Sequence, residues 1–363
     1  MNAFFPSRTV ALYMMRLFLV RTFAILAGLV LVLQALDLLS ESGKILAVAG
    51  NGDTEVWRYV GLRAPQIIAR FLPFSVLLGT ILTLMTMNQN SEIVALKSGG
   101  MSAHQVLAPL ILAAFGVAVI SFTFNERVVA RATAALSQWQ KVNYEQLPLD
   151  RGDRSNVWVR SGDDLIEVDQ VSGRGDAARL GKVIVYERTD GRLTGLVGAS
   201  QGARAGDGWR IWPVTRFNVA SGRLTREPQA IVARGVTPDQ LTMSSVDGDG
   251  LSLGALKSSI DNLEAAGRPT KALEGVLWHK LSGPLSAVLM PLLGAVAGFG
   301  IARSGRLLIR AVTGMALGFA YFVADNFALA MGNLGAYPPF LAAWAPFLLF
   351  FLIGEAVLLR TEE

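Results

Sequence analysis

The stretch FLPFSVLLGTILTLMTMNQNSEIVALKSGGMSAHQVLAPLILAAFGVAVISFTFN (71 to 125) decides the fold. Between Arg70 and Glu92, and again between Lys97 and Glu126, it carries no Asp, Glu, Lys or Arg. A helix needs about 20 apolar residues to cross roughly 30 Å of hydrocarbon, and each gap is long enough. The chain therefore reads as a polytopic membrane protein in which a short charged segment joins two spans.

Working outward, a third charge-free gap runs from Lys280 to Arg303. Less clean apolar runs complete a set of six spans, near 17–39, 67–88, 103–124, 280–302, 307–331 and 338–359. Arg16 and Arg21 stand at the start of the first and Asp37 near its end, Asp325 lies within the fifth, and Glu355 falls late in the sixth. The run from Leu17 to Leu39 exceeds a signal-peptide core and reads as a span. Composition agrees, with 52% hydrophobic and 17% charged residues and a mean hydropathy of +0.42.

The spans group as three, then a polar stretch, then three. This gives residues 1–124 with spans one to three, an inserted domain at 125–279 and residues 280–363 with spans four to six. The insert reads as β structure, from runs such as NVWVR (156 to 160), KVIVYER (182 to 188), WRIWPV (209 to 214) and RFNVA (216 to 220). Asp190-Gly191, Asp207-Gly208 and Ser221-Gly222 supply the turns. The expected fold class is a six-helix membrane protein with an inserted all-β, jellyroll-like domain. Asn125 to Tyr144 and Leu256 to Leu277 read as helical connectors, the second broken by Gly267 and Pro269. Pro6 to Arg16 reads as a short amphipathic helix at the interface.

With the amino terminus cytoplasmic, the short inner segments hold Arg8, Arg16, Arg21, Lys97, Arg303, Arg306, Arg310 and Arg360. The outer loops then hold only Lys44, Arg58, Arg63 and Arg70. This asymmetry favours both termini in the cytoplasm and the β domain on the far side. The net charge of +5 is scattered or gathered at span ends, which favours anionic lipid over nucleic acid as a partner.

Several chemistries are disfavoured. The zero cysteine count removes disulfides, thiolate metal sites and Cys nucleophiles, and no metal site is expected from His104 and His279. The Gly43-Lys44 pair is followed by isoleucine and opens no phosphate-binding loop, so the chain is not expected to hydrolyse ATP. No H-E-x-x-H pair occurs, and no G-x-S-x-G nucleophile elbow is expected.

In SEIVALKSGGMSAHQ (91 to 105), Ser91 is placed to cap a short helix, Glu92 to meet its dipole, and Gly99-Gly100 to end it. Either this is an ordinary capped interhelical turn, or it is a coupling helix near 91–100 that docks into a separate ATPase. Asp37, Asp325 and Glu355 are costly inside a bilayer and are candidates for function. Asp325, beside Asn326, is the one expected to face a cavity. G-x-x-x-G pairs at Gly294/Gly298 and Gly314/Gly318 allow close helix approach.

The SEIVALKSGGMS loop resembles the lipopolysaccharide export permease family LptF/LptG. So do LWHKLSGPLSAVLMPLLGAVAGFG (277 to 300), RSGRLLIRAVTGMALGFAYFVADNF (303 to 327) and LGAYPPFLAAWAPFLLFFLIGEAVLLR (334 to 360). LGALKSSIDNLEAAGRPTKALEGVLWHKL (253 to 281) fits the LptG branch better than LptF. The resemblance implies a non-catalytic, multi-pass permease half in a bacterial inner membrane. Its implied partners are an LptF-like permease, an LptB ATPase dimer and an LptC-like periplasmic protein, and its implied substrate is lipopolysaccharide. It implies no cofactor bound by this chain, ATP and Mg being used by the partner ATPase. Lipid would enter between span 1 of one half and span 5 of the other. Glu92 matches the family's acidic coupling residue, with Ile93, Leu96 and Lys97 filling or rimming the ATPase groove. Lys44 stands where the family meets lipopolysaccharide phosphates, and Arg63 and Asp325 complete the substrate-binding candidates. A secondary transporter and a membrane-anchored scaffold remain as alternatives, disfavoured by the lack of internal repeats and by the capped loop at Glu92.

Overall fold

The computed structural model describes residues 6–145, 154–173, 177–189, 191–236, 248–265, 269–299 and 307–360. Two compact units result, one from residues 1–145 with 247–363 and one from 146–246. The compact β unit is thus narrower than the insert drawn at 125–279, because both helical connectors cluster with the membrane helices.

The first unit contains α1 (Arg8–Leu46), α2 (Asp53–Gln89), α3 (Glu92–Ser98) and α4 (Ala103–Phe124). A π-helical turn, Asn125–Val129, carries α4 without a break into α5 (Ala130–Lys141). After the β unit follow α6 (Leu253–Ala265), α7 (Lys271–Gly298), α8 (Leu307–Asn333) and α9 (Pro339–Arg360). Six helices are long and apolar enough to cross a membrane, in the order the sequence predicts. α1 and α2 overrun their predicted spans, the 39 residues of α1 reaching about 58 Å, well beyond the hydrocarbon layer. The expected separate amphipathic helix at Pro6 to Arg16 is instead the first part of α1. Met14 is fully buried there, and Phe18 is fully buried one turn on, so the segment packs into the bundle.

α2 is the hub. Its small and apolar residues meet three neighbours at closest approach: Gly79 against Thr22 of α1, Thr80 against Gly294 of α7, and Leu77 and Ile81 against Gly318 and Gly314 of α8. The glycines thus serve packing around α2, where the absent Cβ lets side chains of the adjacent helix fill the gap. By contrast α1 and α8 are the least enclosed of the six spans. Leu31, Leu36 and Leu39 of α1, and Phe319, Val323 and Phe327 of α8, are exposed.

The second unit is one antiparallel sheet of β1 (Arg154–Ser161), β2 (Asp164–Ser172), β3 (Arg179–Thr189), β4 (Arg192–Ala205), β5 (Gly208–Asn218), β6 (Leu224–Glu227) and β7 (Ala230–Val232). The order is β1-β2-β3-β4-β5-β6, with β7 also on β5. Among the described residues this is a meander, without the crossovers of a double Greek key. Two predicted strands, WRIWPV and RFNVA, are a single strand, β5. Its partner β4 pairs in one register from Gly195↔Asn218 to Ala205↔Gly208, on both sides of Pro213, and so joins the two runs. The β4–β5 turn is Gly206-Asp207, one residue earlier than Asp207-Gly208, because Gly206 takes the positive φ of +63°. Asp190 and Gly267 lie outside the described residues.

Val157, Val159, Ile166, Val168, Val183, Val185, Val197 and Val214 alternate along the strands and bury one face. One run in β4, GASQG (198 to 202), does have the spacing of a nucleophile elbow. It lies inside a strand rather than on a strand-to-helix turn, and the Ser200 hydroxyl donates to the Trp212 carbonyl at 3.5 Å.

Candidate functional site: a short helix and two charge clusters

The short helix α3 is shaped by its ends. Ser91 adopts a left-handed conformation (φ 62°) and its side chain makes no cap, contrary to the expected role. Its backbone carbonyl starts the helix by accepting from Ala95 at 3.0 Å. At the other end Gly100 takes φ +85°. The Met101 amide then donates to the Leu96 carbonyl at 3.2 Å and the Gly100 amide to that of Lys97 at 3.0 Å, a Schellman closure. Ser102 caps α4 immediately afterwards, accepting from the Gln105 amide at 3.2 Å. α3 is therefore bounded by two backbone-specified turns.

Its faces differ. Ile93 is buried in the chain's own helical core and Leu96 packs against that core, so neither projects outward as the groove-filling expectation requires. Val94 is 56% exposed, and Ala95 and Ser98 are exposed beside it. The Glu92 carboxylate accepts from the Tyr13 hydroxyl of α1 and from the Asn90 amide, each at 3.2 Å. Among the described residues no cation lies within ion-pair distance of it. Lys97 places its ammonium 5.6 Å from the ring centre of Phe299, at the end of α7. Nearby helices are tied by His104 of α4, whose Nε2 is 3.1 Å from Glu355 of α9.

A second cluster joins α1, α2 and the segment after α5. Asp37 accepts from the Tyr59 hydroxyl at 2.5 Å and from Arg63 at 3.0 to 3.2 Å through both Nε and Nη2. Arg63 also donates to Gln66 at 2.7 Å. One turn on, Glu41 accepts from Lys44 at 2.7 Å and from the Tyr144 hydroxyl at 2.6 Å. Asn51 bridges the carbonyls of Ile45 and Tyr144 at 3.0 and 2.8 Å. Ile45, Tyr59, Leu136, Trp139 and Tyr144 form the apolar floor. Burial and the bond to Glu41 push the Tyr144 phenol up to about 12. The predicted substrate cations Lys44 and Arg63 thus sit in one network, each matched to a carboxylate; the Lys44 side chain stays 65% exposed.

The third cluster is apart from these. Asp325, expected to face a cavity, is buried against α7, where His279 Nε2 lies 3.1 Å from its Oδ2. Its other oxygen is buried without a partner among the described residues. Tyr321, one turn earlier, packs edge-on against Phe350 of α9 at 5.5 Å. The sequence reading weighed the histidines only as a shared metal site; the signal for their pairing is that each lies in or beside a span while another span carries a carboxylate.

The sequence profile of the family described as lipopolysaccharide export system permease LptF/LptG matches residues 12–360. The chain belongs to this family. It is 25% identical over 330 residues to the lipopolysaccharide export system permease protein LptG of Escherichia coli K12, covering 87% of this chain and 89% of that protein. It is also 25% identical over 333 residues to LptG of Haemophilus influenzae, covering 86% and 89%. The six spans and the capped α3 segment predicted from the sequence therefore belong to an LptF/LptG permease.

Proposed function

We propose that this chain is the LptG-type transmembrane half of an ATP-driven lipopolysaccharide exporter in a bacterial inner membrane, with both termini cytoplasmic and the β unit periplasmic. A second six-span permease would complete the translocation path, an ATPase dimer would supply the energy, and an LptC-like periplasmic protein would receive the lipid. The observation that carries the reading is α3, held by its core-facing residues while Glu92 has no cation among the described residues and Val94 projects. A basic residue of the ATPase would pair with Glu92. Because α3 contacts α1 through Tyr13 and the end of α7 through Lys97, a push on it reaches the bundle directly.

The weak enclosure of α1 and α8 supports lipid entry along the first and fifth spans. Lys44 is the cation of its network still open to a phosphate. The apolar face of the sheet, in the jellyroll arrangement of the family, would cover acyl chains that otherwise meet water at about 0.8 kcal/mol per methylene.

The test is affinity purification in mild detergent of the native chain and of Glu92→Arg, with ATPase and lipopolysaccharide release assayed. Wild type should recover an ATPase subunit, a second permease and glycolipid. The variant should remain inserted yet lose ATPase recovery or coupling; full export by Glu92→Arg would refute the docking role.

A further inference from the structure

The carboxylates Asp37 and Glu41 lie one helical turn apart near the end of α1, and each is fully engaged. Asp37 binds α2 twice, through Tyr59 and Arg63, while Glu41 binds Tyr144 beyond α5. The aromatic rings behind them interlock, with Tyr144 edge-on to both Tyr59 (6.1 Å) and Trp139 (5.2 Å). Arg58 of α2 covers the other side of Trp139 at 4.7 Å. Towards its other end α1 is fastened again: Arg21 donates to the Leu82 carbonyl at 2.6 Å and Thr22 meets Gly79 with no Cβ between them. Every buried residue of α1 from Met14 to Gln34 lies on the stripe with roughly four-residue spacing that these contacts define. Among the described residues, the exposed side of α1 carries only the Tyr13–Glu92 bond to α3 at its start.

We infer that Asp37 and Glu41 are positioning residues that lock α1, α2 and the end of α5 into one rigid hairpin. Arg63 then serves to hold α1 in place, and its charge is spent on Asp37 rather than offered to a lipid phosphate. Two partly buried carboxylates with charge-assisted bonds on separate elements resist sliding, because any shift of α1 along α2 breaks several bonds together. Under the proposed exporter function, on which only this consequence rests, opening of a lipid path beside α1 must come from movement of other helices. α8 is the candidate, since it is nearly as poorly enclosed, and its Asp325–His279 pair ties it to α7 rather than to α1.

The chain has no cysteine, so spin labels can be placed without background mutations. Cysteines at Leu39 of α1 (78% exposed) and Trp57 of α2 (72% exposed) report the locked end by dipolar electron spin resonance in nanodiscs. We expect one narrow distance, unchanged by nucleotide when partner subunits are present. Asp37→Ala should broaden it, and Asp37→Glu should restore it. A broad or nucleotide-dependent distance in the otherwise native chain overturns the lock, as does a narrow one in a folded Asp37→Ala. Should the alanine variant not fold, Arg63→Gln in the same assay decides. The measurement on the isolated chain is independent of partners, so failure of co-assembly would count against the exporter reading and leave the lock tested.

Discussion

Replacing Gly79 by alanine tests whether the α1–α2 crossing is set by one missing methyl group. A Cβ at 79 would lie 3.0 Å from both the Cα and the backbone N of Thr22, and closer still to its hydroxyl. Backbone cannot rotate away, so the helices must part by several tenths of an ångström, and overpacking of this kind costs about 1–3 kcal/mol. Alanine regains at most about 1 kcal/mol of helix propensity over glycine. Gly28 and Gly61 supply the internal standard, because they lie in the same two helices with nothing within 4 Å of an added Cβ. There the propensity gain stands alone. The two classes should therefore differ by about 1–3 kcal/mol, with each 1.4 kcal/mol a factor of about ten in the unfolding equilibrium. Denaturant titration in detergent micelles, followed by tryptophan fluorescence, measures it. Thr22→Ala should relieve only part of the loss, since the backbone contacts remain. If Gly79→Ala proves as harmless as Gly61→Ala, the close crossing is wrong.

Asp37→Asn and Arg63→Gln should each cost about 1.5–3 kcal/mol, while the double variant costs clearly less than their sum; additive losses in the same titration would remove the pair from the stability argument. The Tyr144 phenol is pushed up from its ordinary 10.0 to about 12 in the folded chain, so its contribution is full below pH 10 and lost as pH rises through 12. Tyr144→Phe should flatten the fall in stability between those values, which unfolding at stepped alkaline pH will read. Gly100, at φ +85°, should tolerate asparagine better than valine, with valine about 1–2 kcal/mol worse and ATPase coupling reduced with it.

The spans were legible because the bilayer demands length and apolarity, and both are local properties of sequence. The turns of α3 were half legible. Gly99-Gly100 announces a helix end, since few residues tolerate a left-handed conformation, but Ser91 was misjudged because a cap needs the residue in an extended conformation and Ser91 is left-handed. The faces of α3 were hidden, for seven residues make only two turns and both sides carry apolar groups. The runs WRIWPV and RFNVA join into one strand because β4 pairs with both, which only the ladder shows.

The charges inside spans were legible in the sequence, and their partners were not. Asp37 and Arg63 lie on either side of the α1–α2 turn, so an antiparallel register would have paired them, but that register depends on where α1 ends and where Thr22 meets Gly79. The pairs His279–Asp325 and His104–Glu355 lie 46 and 251 residues apart in sequence.

By itself, then, the sequence determined the six apolar helices, the inserted sheet and the short segment at Glu92, because each follows from local composition and spacing, and its quoted segments carried the resemblance to the LptF/LptG family. Only the tertiary structure decided that Ile93 faces inward, that Lys44 and Arg63 are matched by carboxylates, and that α2 is the hub. Those outcomes depend on which helix faces meet, and close packing between distant segments sets that.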